Sequence, residues 1–121
     1  MNKKKILIID DEQPILNMYS VALAEYGVFT AVNGYEGIEI AQKEQPDLIY
    51  LDIIMPKTNG LDVLKKLKSN DNTKEIPVIL LTNLPEEASK DKAMALGAHD
   101  YFVKVEFEPE RLLDETKKIL R

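Results

Sequence analysis

Five residues able to take part in polar chemistry stand directly behind, or at the end of, short apolar runs. Asp10 and Asp11 follow Ile6-Leu7-Ile8-Ile9, Asp52 follows Leu48-Ile49-Tyr50-Leu51, Thr82 follows Val78-Ile79-Leu80-Leu81, and Lys104 follows Tyr101-Phe102-Val103. A carboxylate among so many apolar neighbours is costly unless something pairs with it. Two carboxylates ~6 Å apart at an effective dielectric of about 20 repel by ~3 kcal/mol. Three acids in one place therefore need a cation among them, or one of them must keep a proton. With no cysteine and His99 as the one imidazole, the carboxylate oxygens suit Mg²⁺, or Mn²⁺, rather than zinc. A carboxylate nucleophile, a hard cation that keeps positions for phosphate oxygens, a hydroxyl and an ammonium are the parts needed for phosphoryl transfer.

Taken singly, each residue has a plainer reading. Asp10 or Asp11 could cap the helix that follows, Thr82 could cap the next one near Pro85, and a lone Lys104 after a strand is usually just solvated. Their joint placement, all at the ends of runs and none at the starts, favours one shared site.

The elements that must position these residues are legible from periodicity. Runs at Lys5 to Ile9, Val28 to Val32, Leu48 to Leu51, Val78 to Leu81 and Tyr101 to Val103 read as strands. Ile15, Met18, Tyr19, Ala22, Leu23 and Tyr26 carry helical spacing, with Pro14 in the first turn and Gly27 as the stop. Further helices are predicted from Tyr35 to Gln45, from Leu61 to Ser69, from Pro85 to Gly97 and from Pro109 through Leu112, Leu113, Thr116, Ile119 and Leu120. The fourth is rich in alanine and should bury less area per residue than the first. Strict βα alternation implies a doubly wound α/β fold, a five-stranded parallel sheet with helices on both faces and right-handed crossovers. Ligands bind such sheets at the carboxyl ends of the strands, where all five residues fall.

At 121 residues the chain is the size of one domain, spanning 1–121. It is 45% hydrophobic and 31% charged, an ordinary globular composition with apolar runs too short to cross a bilayer. Lys3 to Lys5 begin like a signal peptide, but the apolar segment behind them stops at Ile9. Without cysteine, the expected compartment is the cytoplasm. A net charge of -5 argues against nucleic acid as a direct partner and favours proteins.

With the motifs taken together, the sequence resembles the receiver domains of two-component response regulators, the family that includes the stand-alone chemotaxis regulators. The resemblance runs in order through ILIIDDE (Ile6 to Glu12), PDLIYLDIIMPKTNGLDVL (Pro46 to Leu64), IPVILLT (Ile76 to Thr82) and ALGAHDYFVK (Ala95 to Lys104). It implies the flavodoxin-like strand order 2-1-3-4-5. It implies that Asp52 takes a phosphoryl group from a phosphohistidine of a sensor kinase or phosphotransfer protein. Asp11 matches the direct Mg²⁺ ligand and Asp10 the acid acting mainly through water, with Asp52 and the Ile54 backbone carbonyl completing the protein's ligands. Lys104 matches the lysine that pairs with the phosphoryl group, and Thr82 and Tyr101 match the switch pair, through which the face made by the fourth helix, fifth strand and fifth helix engages a downstream protein. Such a domain is a monomer or weak dimer and no conventional enzyme, although it assists its own phosphorylation and slow dephosphorylation. It acts alone or within a longer chain.

The sequence departs from the family pattern in three places. Val105 follows Lys104 where proline through a cis bond is usual, and a trans bond is expected. Asn83 stands where a small residue usually follows the switch threonine. Ile54 and Leu84, which flank the phosphoryl group in the family, are both apolar. An apolar wall orients no water, so a long-lived acyl phosphate is expected. Two other uses of the site fit less well. A hydrolase forming an aspartyl phosphate would want a second acid at Ile54, and a flavin phosphate would be repelled by Asp10, Asp11 and Glu12. The remaining alternative is a degenerate receiver that serves as an unphosphorylated protein-interaction module.

Overall fold

The computed structural model describes residues 3–55, 57–83, 87–104 and 108–120, without the side chains of residues 87 and 88. Among them the strands are β1 (Lys5–Ile9), β2 (Gly27–Ala31), β3 (Leu48–Leu51), β4 (Ile54–Met55), β5 (Thr58–Asn59), β6 (Val78–Thr82) and β7 (Asp100–Val103). The helices are α1 (Gln13–Ala22), α2 (Gly34–Glu44), α3 (Gly60–Ser69), α4 (Glu87–Ala95) and α5 (Pro109–Ile119). The main sheet is parallel with the order β2-β1-β3-β6-β7, which is 2-1-3-4-5 when only its own strands are counted. Among the described residues no helix is long and apolar enough to cross a membrane.

Alternation along the strands divides the core in two. Leu7, Ile9, Ile49, Leu51, Val78 and Leu80 face Ala41 of α2, Val63, Leu64 and Leu67 of α3, and Ala93 of α4. Ile6, Ile8, Leu48, Tyr50, Ile79 and Leu81 face Leu16, Tyr19 and Leu23 on the α1 side and Leu112 of α5. Because β1, β3 and β6 are covered on both sides, they read as unbroken apolar runs rather than alternating ones. Tyr50 brings a polar atom into the second layer. Thr116 Oγ1 donates to Leu112 O at 2.7 Å, so the Tyr50 hydroxyl is the donor across the 2.6 Å contact with Thr116 Oγ1 that ties β3 to α5.

Several boundaries differ from the sequence expectation. Gly27 opens β2 instead of closing α1, its N–H donating to Lys4 O at 2.9 Å, while α1 ends at Ala22 and Leu23 begins a turn. Leu16 and Tyr19 are the buried residues of α1, whereas Met18, expected on the buried stripe, is turned outward and 40% exposed: two positions on from Leu16, it lies on the opposite side of the helix. The α4 expectation holds: of its described side chains only Ala93 is buried. Its end is set by Gly97, at φ +99, a conformation glycine adopts at least cost. The opening of that helix at Pro85, the flanking role of Leu84 and the bond between Lys104 and Val105 involve positions outside the described residues.

The small antiparallel pair β4–β5 is absent from the sequence reading. It turns the chain after Asp52 back towards α3, where the Asn59 side chain accepts from Leu61 N at 2.8 Å and caps the helix. Thr58 Oγ1 accepts from Gly34 N at 3.3 Å and joins this hairpin to the start of α2. Gly60 allows the return path: a Cβ there would overlap the carbonyl oxygen of Asp52 and Cα of Ile53. Both are backbone atoms and no rotamer change relieves them, so Gly60→Ala is expected to destabilise the domain by about 2 kcal/mol. Urea unfolding checks this, and an unchanged midpoint would show that the segment after Asp52 yields freely.

Candidate functional site

Parallel register brings the ends of four strands together. Ile9 lies opposite Leu51 and Ala31, so the residues after β1 and β3 emerge side by side; Asp52 N donates to Ile9 O and Asp10 N to Ala31 O, each at 3.0 Å. Thr82 lies opposite Val103, which places Lys104 directly beyond the end of β6. Asp10, Asp11 and Asp52, predicted from sequence to converge, offer carboxylate oxygens within 4.8 Å of one another, with Glu12 as a fourth member. A cleft at the carboxyl edge is lined by Asp11, Glu12, Asp52, Ile54, Thr82, Asn83 and Lys104.

Lys104 is the cation that the acids require. Its ammonium lies 2.5 Å from Asp10 Oδ2, 3.2 Å from Asp52 Oδ2 and 3.5 Å from Glu12 Oε1. Asp10, Asp52 and Lys104 are all buried, Asp52 at 5% and Lys104 at 8% exposure. The other Asp52 oxygen accepts from Ile54 N at 3.3 Å, and Asp10 Oδ1 accepts from Glu12 N at 2.9 Å. Neither Asp10 nor Asp11 is the N-cap of α1; that position belongs to Glu12, whose side chain makes no cap hydrogen bond.

Burial is the largest influence on the protonation of Asp52 and Asp10. Desolvation pushes the Asp52 carboxyl up to about 6 against the charge of Lys104, and the nearby Asp10 adds to the rise. Asp10 is raised for the same first reason, although its hydrogen bond from Lys104 works the other way. Burial also opposes the charge on Lys104, but the hydrogen bond to Asp10 and the charges of Asp52 and Asp10 outweigh it and hold the ammonium at about 12. The contrast has a simple origin: one cation is shared among several acids, so each acid is only partly compensated while the cation is compensated several times over.

The remaining predicted residues fall around this centre. Thr82 is fully buried at the cleft, and Asn83 is exposed at its rim. Ile54 donates its backbone N–H to Asp52 while its side chain, 56% exposed, forms part of the mouth. Tyr101 is buried and packs in the core layer shared with α2, α3 and α4. Glu12 is the member that sequence reasoning passed over. Its signal was present in the unbroken run Asp10-Asp11-Glu12, but without a tertiary partner it reads as the first charge of a helix.

The oxygen-only donor set fits a hard divalent cation. The carboxylate oxygens lie within 4.8 Å of one another, close enough that they would share one such ion. Buried carboxylate, ammonium and acidic cluster meet at the carboxyl edge of a doubly wound sheet, which is where such sheets take ligands.

Comparison with known proteins agrees with this geometry. A family model described as the response regulator receiver domain matches residues 6–117. The phosphate regulon transcriptional regulatory protein PhoB of Pseudomonas aeruginosa is 40% identical over 120 residues, covering 98% of this chain and 52% of the relative. The alkaline phosphatase synthesis transcriptional regulatory protein PhoP of Bacillus subtilis is 39% identical over 120 residues, covering 98% of this chain and 49% of the relative. The chain thus spans about half the length of these curated relatives. Among solved structures, chemotaxis protein CheY4 of Vibrio cholerae superposes with a TM-score of 0.89 at 34% identity, over 97% of this chain and 98% of that one. The match covers every strand whose end contributes to the acidic cleft, and the chain therefore belongs to the response regulator receiver domain family.

Proposed function

We infer that the domain accepts a phosphoryl group on Asp52 and thereby alters the surface made by α4, β7 and α5. What carries the reading is one observation: Asp52, a buried carboxylate, is held between the Lys104 ammonium and an oxygen-only acidic cluster at the open edge of the sheet. An Asp52 oxygen attacks the phosphorus of a phosphohistidine on a sensor kinase or phosphotransfer protein. The new P–O bond forms as the donor's P–N bond breaks, and the imidazole nitrogen leaves with the bonding pair. With acetyl phosphate the bond broken is P–O, and acetate leaves.

Lys104 supplies fixed positive charge to the transferring group, and the Ile54 N–H steadies the second Asp52 oxygen. Asp10, Asp11, Asp52 and the Ile54 carbonyl are the groups that would hold Mg²⁺ or Mn²⁺. When bound, that ion neutralises charge on the phosphoryl oxygens. Thr82 and Tyr101, on the adjacent strands β6 and β7, are the pair through which the change reaches the downstream protein partner. The apolar side chain of Ile54 at the mouth, with Leu84, slows water attack on the adduct, and Asn83 borders the path of the donor. The same reading makes residues 1–121 one domain acting in the cytoplasm as a monomer or weak dimer, with no direct contact to nucleic acid.

The test is to supply Mg²⁺ and acetyl phosphate to the wild type, Asp52→Asn and Ile54→Asn and to follow intact mass. The wild type is expected to gain one base-labile phosphoryl adduct, Asp52→Asn none, and Ile54→Asn an adduct that decays faster. A folded wild type that takes up nothing would replace this reading with that of an unphosphorylated interaction module. Equal decay in Ile54→Asn would remove the shielding role.

A further inference from the structure

Glu12 occupies the N-cap of α1, yet its side chain makes no cap hydrogen bond, and glutamate is not among the residues favoured there. Its carboxylate is instead turned to Lys104, 3.5 Å away, and joins the cluster formed by Asp10, Asp11 and Asp52. With a side chain 53% exposed, this ion pair contributes little to stability. Its position is more telling than its strength. Glu12, Asn83 and Lys104 line both the Asp52 cleft and a neighbouring groove bounded by Ile15, Met18, Tyr19, Glu108 and Pro109. Glu12 therefore stands on the wall between two openings, and among the described residues it is the exposed acid that touches the buried ammonium.

We propose that Glu12 is a positioning residue that pairs with the Lys104 ammonium and partly cancels its field at the cleft mouth, so that it restrains phosphorylation by small anionic donors while strengthening divalent-cation binding. This rests on the acceptor role of Asp52. A phosphodonor arrives as an anion, and the attraction it feels from Lys104 is reduced by a carboxylate paired with that same nitrogen. Removing the Glu12 charge leaves Lys104 bound to Asp10 and Asp52 while a larger share of its field reaches the donor. The same removal takes one negative charge from beside the oxygen ligands, which weakens their hold on a dication. Because Glu12 reaches solvent, both effects fall as salt is added.

The experiment compares the wild type, Glu12→Gln, Glu12→Asp and Glu108→Gln. Glu108 borders the neighbouring groove and controls for the loss of one negative charge near the site. Initial rates of adduct formation are measured over a range of acetyl phosphate concentrations with Mg²⁺ saturating, at low and high salt, and Mg²⁺ binding is measured by calorimetry without donor. For Glu12→Gln the expected result is a rise of about fivefold in the rate at limiting donor, little change in the saturated rate, and Mg²⁺ binding about threefold weaker. Glu12→Asp should lie between Glu12→Gln and the wild type, and Glu108→Gln should match the wild type. A Glu12→Gln rate equal to or below that of the wild type, unchanged Mg²⁺ binding, or an equal gain in Glu108→Gln would overturn the proposal. A wild type that takes up no phosphoryl group would overturn the acceptor reading and this inference together, whereas a labelled wild type with an unaltered Glu12→Gln defeats this inference alone.

Discussion

Lys104→Met is expected to destabilise the domain by about 3 kcal/mol at pH 7.5 in EDTA, and by much less at pH 5. The substitution keeps the volume of the stem but leaves the buried Asp10 and Asp52 carboxylates without their shared cation. The folded-state pKa of Lys104, about 12, lies above the ordinary 10.5. Its contribution to stability is therefore fully present below pH 10.5 and would be lost only as pH rises through 12, so all of it is at stake at pH 7.5. The pH dependence of the variant comes from the acids. Desolvation already raises both, and without Lys104 they rise further. They then take up protons on acidification and escape the cost of buried charge. Thermal or urea unfolding of both proteins from pH 5 to pH 8 measures the gap, which should widen as pH rises. A loss that is small, or the same at every pH, would show that the ammonium serves packing rather than charge balance.

Asp52→Asn should have the opposite sign. Asparagine stands in for the protonated carboxyl, so the comparison reads the cost of ionising Asp52 in place. A folded-state pKa raised from 3.8 to about 6 means that the native state binds the proton more tightly than the unfolded chain. Wild-type stability therefore falls as pH rises from about 4 through about 6, by about 3 kcal/mol for roughly two pK units. The variant lacks that titration. It should match the wild type near pH 4 and exceed it above pH 7 in EDTA, with a melting temperature higher by roughly 10 °C. Adding Mg²⁺ should narrow the gap, because the wild type gains the binding free energy of the ion and the variant has lost one of its ligands. A variant less stable than the wild type at pH 7.5 in EDTA would mean that the Lys104 pairing outweighs desolvation at Asp52.

The two expectations are linked by one imbalance. The cluster holds more carboxylates than the single ammonium can neutralise, so removing an acid relieves the fold and removing the cation burdens it. A site arranged in this way gives up stability to keep a surplus of negative charge and a carboxylate out of bulk water.

Much of this was written in the sequence. The five apolar runs, the helical spacing between them and the position of each polar residue at the end of a run are local patterns, and local patterns determine a doubly wound sheet with its acids at one edge. Asp10, Asp11, Asp52, Thr82 and Lys104 could be named as one group for that reason. The motif resemblance supplied the strand order, which periodicity cannot, and the observed sheet has it.

Tertiary structure decided what depends on residues far apart in the chain. Whether Lys104 was a solvated lysine or the counter-ion of Asp10 and Asp52 turned on the register of β7 against β6. The same uncertainty concealed Glu12, because a third acid before a helix signals nothing until a buried ammonium is brought beside it. The β4–β5 hairpin escaped notice because two-residue strands are too short to show a period, and its path depends on the contact of Gly60 with the backbone of Asp52 and Ile53. Spacing admits a stripe through Ile15, Met18 and Ala22 as well as one through Leu16, Tyr19 and Leu23, and the sheet beneath α1 buries the second. Periodicity fixes which way a side chain points within its own element; pairing between charges is fixed only when the sheet register places their elements side by side.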